Sequence, residues 1–196
     1  MQRCIQPLTR GKGIAKLAQG VQLLLLCLLL SLPSQSLVAD SFSDRRAHVG
    51  IKLFRTLLAA EQNVTSDAGD DIYFVYVTDQ TLAEQHALQF NESTAYSGTP
   101  PAKTIALDAI SHTKNFTPRA LFISQKLNSN ELATVVHYTI EQHIISFSPY
   151  EGDVEGGVLG GLSVEATIKP LINITTLESS GIDIKSFYLK VAKRHE

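Results

Sequence analysis

The side chains able to do chemistry are dispersed along this sequence. Six histidines occur, His48, His86, His112, His137, His143 and His195. His137 and His143 miss the His-x-x-x-His spacing that sets two metal ligands on one helical face. A zinc site would need ligands from distant segments and no cysteine, because Cys4 and Cys27 are the only two and both sit near the N-terminus. Ser124 follows an apolar run but lacks the flanking glycines of a nucleophile elbow. Spacing brings no serine, histidine and carboxylate together, so the sequence points to no enzyme and to no cofactor.

The densest group of unusual residues is the stretch holding Gly152, Gly156, Gly157, Gly160 and Gly161 beside Glu151, Asp153 and Glu155. A phosphate-binding loop leads from a strand into a helix and usually carries a lysine and a hydroxyl. Here Gly160-Gly161-Leu162-Ser163 runs into β-rich sequence, and the carboxylates would repel phosphate. Glu151, Asp153 and Glu155 also lack the spacing of a calcium loop. Two readings remain, a tight turn with close strand approach or a small polar ligand pocket. The polar face of the first helix around His48 and Arg55, and the Glu151–Glu155 segment, are candidate interaction surfaces.

What must position these residues is preceded by a leader. Arg3, Arg10, Lys12 and Lys16 come before an apolar run from Val21 to Leu32, which Pro33 and Ser34 break. Twelve residues span about 18 Å as helix against roughly 30 Å of bilayer core. The pattern predicts a cleaved secretory signal peptide over 1–39, cut after Ser36 or Ala39, with no stable membrane span afterwards. All 19 acidic residues lie from Asp40 onward, whereas four of the 17 basic ones lie in the leader, so the remainder carries about −6. That balance excludes a nucleic-acid surface. Without cysteine, the single domain over 40–196 depends on its core for stability.

The spacing predicts a first helix over Asp40–Glu61, with Ser41 and Asp44 as a capping box and Ala47, Ile51, Phe54 and Leu58 as its apolar stripe. Ile72–Val77 reads as a central strand, and Thr78 or Asp79 caps a helix that sends Leu82 and Leu88 to the core. Short strands are expected at Lys103–Leu107 and Ala120–Ser124, a helix opened by Asn128 or Ser129, and a strand at Ile144–Phe147. Ala166–Ile174 is a strand whose Pro170 argues for an edge or a bulge. Asn173 is expected to bond backbone groups at the next junction, Thr175 and Glu178 to form a capping box, and Gly181 to stop that helix. A last helix from about Asp183 turns Ile184, Phe187, Tyr188 and Val191 inward, with Lys190, Lys193 and Arg194 outward. This alternation predicts a compact α/β sandwich with a mixed central sheet flanked by helices, its later strands antiparallel.

The C-terminal quarter adds a family signature. Glu155-Gly156-Gly157-Val158-Leu159-Gly160-Gly161-Leu162, then Ile172-Asn173, then Ser180-Gly181-Ile182-Asp183-Ile184 through Val191-Ala192, resembles the YfiR-like family of bacterial periplasmic proteins. Ala47–Phe54 and Leu121-Phe122-Ile123 look like that family's opening helix and central strand. The resemblance implies a non-enzymatic periplasmic regulator, often a homodimer, that binds and modulates an inner-membrane signalling protein with a periplasmic domain, such as a diguanylate cyclase or histidine kinase. Gly156, Gly157, Asn173 and Gly181 would then be structural motif residues. The alternative is a periplasmic small-solute-binding component.

Overall fold

A computed structural model describes residues 36–62, 69, 71–92, 101–112 and 116–196. The leader with its apolar run, most of the turn expected after Gln62, and most of the loop before Pro101 lie outside the described residues. Residues from Phe42 onward form one unit. No described helix is long and apolar enough to cross a membrane.

Helix α1 (Ser36–Ala60) buries Ala47, Ile51, Phe54, Leu57 and Leu58, the stripe that three- and four-residue spacing generates. It begins ahead of Ser41, so Ser41 and Asp44 do not cap its start as the capping-box reading expected. Strand β1 (Ile72–Tyr76) is buried at Ile72, Phe74 and Val75, as suits a strand covered on both faces. Asp79 Oδ1 then accepts from the Leu82 amide at 2.9 Å and opens α2 (Gln80–Glu92). Strand β2 (Ala102–Ala106), the short α3 (Leu107–His112) and β3 (Ala120–Ile123) follow. In α4 (Ser129–Glu141) the Asn128 side chain accepts from the Asn130 and Glu131 amides, while Glu131 accepts from the Asn128 amide at 2.8 Å. The helix stops at His143, which takes the left-handed backbone (φ 56°) that glycine often supplies, and its Nδ1 lies 2.7 Å from the Ser180 carbonyl.

Strands β4 (Ile145–Ser148), β5 (Gly160–Val164), β6 (Ile168–Asn173) and β7 (Lys193–His195) complete a seven-stranded sheet of order β2-β1-β3-β4-β5-β6-β7. The first five pair in parallel, β6 is antiparallel to β5, and β7 is parallel to β6. The molecule is therefore an α/β fold with a mixed sheet. Phe54 of α1 lies 5.5–6.3 Å, centroid to centroid, from Phe74, Phe90, Phe122 and Phe147 and anchors one face. Val75, Leu121 and Ile123 pack with Ile110 of α3 and Val135 of α4 on the other.

The C-terminal part departs most from expectation. Helix α5 (Ile174–Ser180) is capped by Asn173, whose Oδ1 accepts from the Thr176 amide at 2.8 Å. The cap is not the Thr175–Glu178 box, because Asn173 already satisfies the first free amide. The expected last helix is cut down to α6 (Ser186–Val191), after which Lys193–His195 joins the sheet. Ile184 and Tyr188 are buried as expected, but Phe187 and Val191 are 55% and 60% exposed. Leu88, read as a core residue of α2, is 61% exposed, and Ala83, Ala87 and Phe90 face the core instead. Pro170 pairs with Leu162, while β7 reaches only Leu171, Ile172 and Asn173, so its missing N–H faces no partner strand on that side.

Candidate functional site

In a doubly wound sheet, ligands commonly bind outside the carboxyl ends of the strands, where the strand order reverses. Here that point is the crevice between β1 and β3. Gln125, just beyond β3, occupies it. Its Oε1 accepts from the amides of Val77, Thr78 and Asp79 at 3.0, 3.1 and 3.0 Å, and its Nε2 donates to Thr78 Oγ1 at 3.2 Å. Amides at a helix start would otherwise suit an anion. In this chain they already have an acceptor.

A larger opening lies farther along the same side of the molecule. The Asp44–Val49 stretch of α1, the middle of α2 and the β5–β6 hairpin enclose a cleft of about 700 Å³. Val49, Leu82, Leu162, Val164 and Ile168 give it apolar walls, while Asp44, Arg45, Arg46, His48, Gln85 and Gln89 supply polar groups. Val164 and Ile168 face each other across the hairpin and remain 46% and 49% exposed. His48 Nδ1 pairs with Gln89 Nε2 and links the two helical walls.

His86 also lines the cleft, yet it is only 6% exposed. Its ring meets Phe122 edge-on at 6.0 Å, and its Nδ1 has no hydrogen-bond partner among the described residues. Burial lowers its pKa below the ordinary 6.5, against an upward pull from Asp44 and Asp79. The ring is therefore neutral near pH 7. A buried polar atom without a partner costs free energy, and His86 Nδ1 shares that state with Ser124 Oγ and the Tyr188 hydroxyl. Sequence reading passed over His86, although its spacing from Ala83 and Phe90 puts a histidine on the apolar stripe of α2.

The residues singled out by sequence divide between this cleft and elsewhere. His48 lies in the cleft. Arg55 is not on a polar helical face, being 6% exposed with its guanidinium 4.3 Å from the Phe90 ring centroid, because its long stem follows the apolar stripe inward. Asp153 is also not a surface group. It is 1% exposed, receives Ser148 Oγ at 2.6 Å and pairs with Lys126. Glu151 and Glu155 are exposed, and Glu151 faces Arg46 at 3.9 Å. A smaller hollow of about 210 Å³ touches Glu151, Gly152 and Glu155 and shares Arg46, Leu162 and Val164 with the cleft.

The glycine stretch shapes the joint behind the cleft. Gly157 has φ 107°, and a Cβ there would sit 2.9 Å from Val136. Gly156 would meet Leu132 at 2.6 Å. This close approach brings the Val154 carbonyl to Asn173, whose Nδ2 donates to it at 2.8 Å, and the Gly157 carbonyl to Thr176 Oγ1 at 2.8 Å. Gly181 ends α5 in the left-handed conformation. Tyr150 donates to the Ser124 carbonyl at 2.6 Å, and burial, reinforced by Asp153, pushes its pKa up to about 12. It is a fixed hydrogen-bond donor and not a base. Among the described residues, no three histidine, cysteine or carboxylate side chains are grouped to hold a metal ion.

Comparison with known proteins yields no matching family model and no matching curated protein. Solved structures do resemble the chain. The ABC domain in complex with L-Trp from Streptococcus pneumonia superposes with a TM-score of 0.53 at 14% identity, over 76% of this chain and 61% of that one. A conserved domain protein from Vibrio cholerae gives 0.54 at 11% identity, over 76% and 60%. The ligand-free, open structure of CD0873, a substrate binding protein with adhesive properties from Clostridium difficile, gives 0.52 at 13%, over 75% and 59%. The chain thus spans about three fifths of the length of these structures, and what it shares with them is an α/β fold.

Proposed function

We propose that this chain is an exported, non-catalytic binding domain whose cleft between α1, α2 and the β5–β6 hairpin takes a small amphipathic solute. The observation that carries the reading is the cleft itself: apolar walls, a polar rim, and a buried His86 with an unfilled hydrogen-bonding position. Small-ligand sites have this composition, with few polar groups set in a mostly apolar concavity. The solved structures it resembles lend support, since one is a substrate binding protein and another holds L-Trp. The test is a thermal-melting screen of amphipathic solutes, run in parallel on a Leu162→Trp variant that fills the cleft. A saturable stabilisation of the parent, absent from the variant, is the expected result. Equal shifts in both proteins, or none in either, would rule the cleft out as a solute site.

A second reading keeps the same domain and changes its partner. Of the residues that resemble the YfiR-like family, Gly156 and Gly157 lie close against Leu132 and Val136 of α4, and Asn173 holds the Val154 carbonyl. On that resemblance the second reading is a periplasmic regulator, acting as a homodimer on an inner-membrane signalling protein. Crosslinking in the host followed by mass spectrometry separates the two: a membrane protein with a periplasmic sensor domain supports the regulator, and a transport permease alone supports the solute-binding component.

A further inference from the structure

Charge along the cleft is unequal. Among the described residues that line it, Arg45 and Arg46 carry positive charge and Asp44 is the single carboxylate. A guanidinium does not lose its proton in proteins, so this excess does not depend on titration. Arg45, His48 and Val49 stand three and four residues apart and share one face of α1, which sets Arg45 one turn from an apolar wall. Arg46 lies toward the hairpin. Its side chain is 13% exposed, and its Nε donates to the Pro149 carbonyl at 3.0 Å, which fixes the guanidinium where the cleft and the smaller hollow meet. The acid facing it at 3.9 Å, Glu151, is 91% exposed, and an ion pair so open to water is worth little. Other carboxylates nearby are engaged: Asp79 accepts from the Leu82 amide, and Lys193 holds Glu165 at 2.6 Å. On the α2 wall Gln85 is exposed, and its side-chain amide is a further donor.

We infer, resting on the solute-binding reading, that the cleft takes a carboxylate carried on an apolar body, the carboxylate at its Arg45–Arg46 end and the body against Val49, Leu82, Leu162, Val164 and Ile168. The arginine fork matches the two oxygens of a carboxylate, and the attraction strengthens where an apolar body displaces water from the walls. Val164 and Ile168, about half exposed, are the surface that such a body covers. An alkylammonium in the same place would meet two like charges for one of opposite sign. Asp44 opposes the carboxylate, so its removal acts in the reverse sense from the removal of Arg45.

The test uses three probes of one shape on the chain recovered from its host: the anionic 4-phenylbutyrate, the neutral 4-phenylbutan-1-ol and the cationic 4-phenylbutylamine. Calorimetric titration at pH 7.5 should rank the acid at least about tenfold tighter than the alcohol, the difference expected for one charge-assisted hydrogen bond, with the amine weakest. Arg45→Gln, a change at an exposed position, should bring acid and alcohol to within about threefold of each other. Asp44→Asn, also exposed, should widen their ratio. Added salt should weaken the acid and spare the alcohol. An amine bound as tightly as the acid, or a ratio of acid to alcohol that neither substitution moves, would overturn the carboxylate assignment. If all three probes fail while other solutes still give the melting shift that Leu162→Trp abolishes, the carboxylate assignment falls and the binding reading stands. If every solute fails, both fall.

Discussion

The crevice between β1 and β3 and the cleft under the β5–β6 hairpin offer similar materials to a ligand, yet only one is open. At the crevice, Gln125 supplies an acceptor to the amides of Val77, Thr78 and Asp79, so the protein completes its own hydrogen bonding. At the cleft, His86 is nearly as deeply buried as the core, but its Nδ1 is left without a partner and apolar side chains remain half exposed around it. The difference teaches where to look in an α/β fold. Topology nominates the carboxyl ends of the strands, but the local hydrogen-bond account decides which part of that rim is free for something else.

The sharpest way to break the comparison is Gln125→Ala. Losing the shared acceptor for the amides of Val77, Thr78 and Asp79 should cost about 2 kcal/mol, partly recovered by water. Hydrogen exchange at Val77–Asp79 should quicken in step, and a phosphate-dependent recovery of the melting temperature would show that the crevice becomes an anion site once vacated. An unchanged melting curve would mean that Gln125 fills nothing of consequence.

His86→Phe should behave in the opposite sense. It replaces an unsatisfied buried imidazole by a ring suited to Phe122, so stability at pH 7 should change by less than about 1 kcal/mol. Because the folded pKa of His86 is depressed, the unfolded chain binds the proton more readily. The parent's His86 contribution is thus present above 6.5 and is lost as pH falls toward the folded pKa. The variant should show a flatter decline in melting temperature below pH 6.5; identical profiles would remove His86 as a titrating group.

The smallest expected effect on folding is at Ile168→Ser. That side chain is 49% exposed on the hairpin tip, so stability should move by no more than about 0.5 kcal/mol, while solute-induced stabilisation should fall by half or more. A large loss of stability would make the hairpin tip part of the core and not a wall of the cleft.

Local chemistry made much of the fold legible before the structure. The apolar run Ile72–Val77 specifies a central strand, Asn128 or Ser129 marks a helix start, and the stripe from Ala47 to Leu58 specifies the face of α1. The α6–β7 end was misread because Ile184, Phe187, Tyr188 and Val191 satisfy helical spacing, whereas the strand at Lys193–His195 is set by backbone pairing with β6, for which the side chains give no signal. The site was less legible. His48 could be named as a polar position on a helical face, but the burial of Arg55 and Asp153 depends on contacts with Phe90 and Ser148 that residue spacing does not reveal. His86 did leave a trace, a lone histidine at core spacing, and only the neighbouring cavity gives that trace a meaning.

Strand β7 also bears on how copies of this molecule meet. An outer strand with free N–H and C=O groups invites another chain to add to the sheet, and proteins commonly prevent this with short, charged outer strands. Here the last strand is three residues long and reads Lys193-Arg194-His195, with Lys193 held by Glu165 at 2.6 Å. Two such strands laid side by side would bring the Lys193 and Arg194 side chains of both copies together. The short, charged strand thus disfavours pairing at this edge, whereas Phe187 and Val191 leave apolar surface exposed on α6.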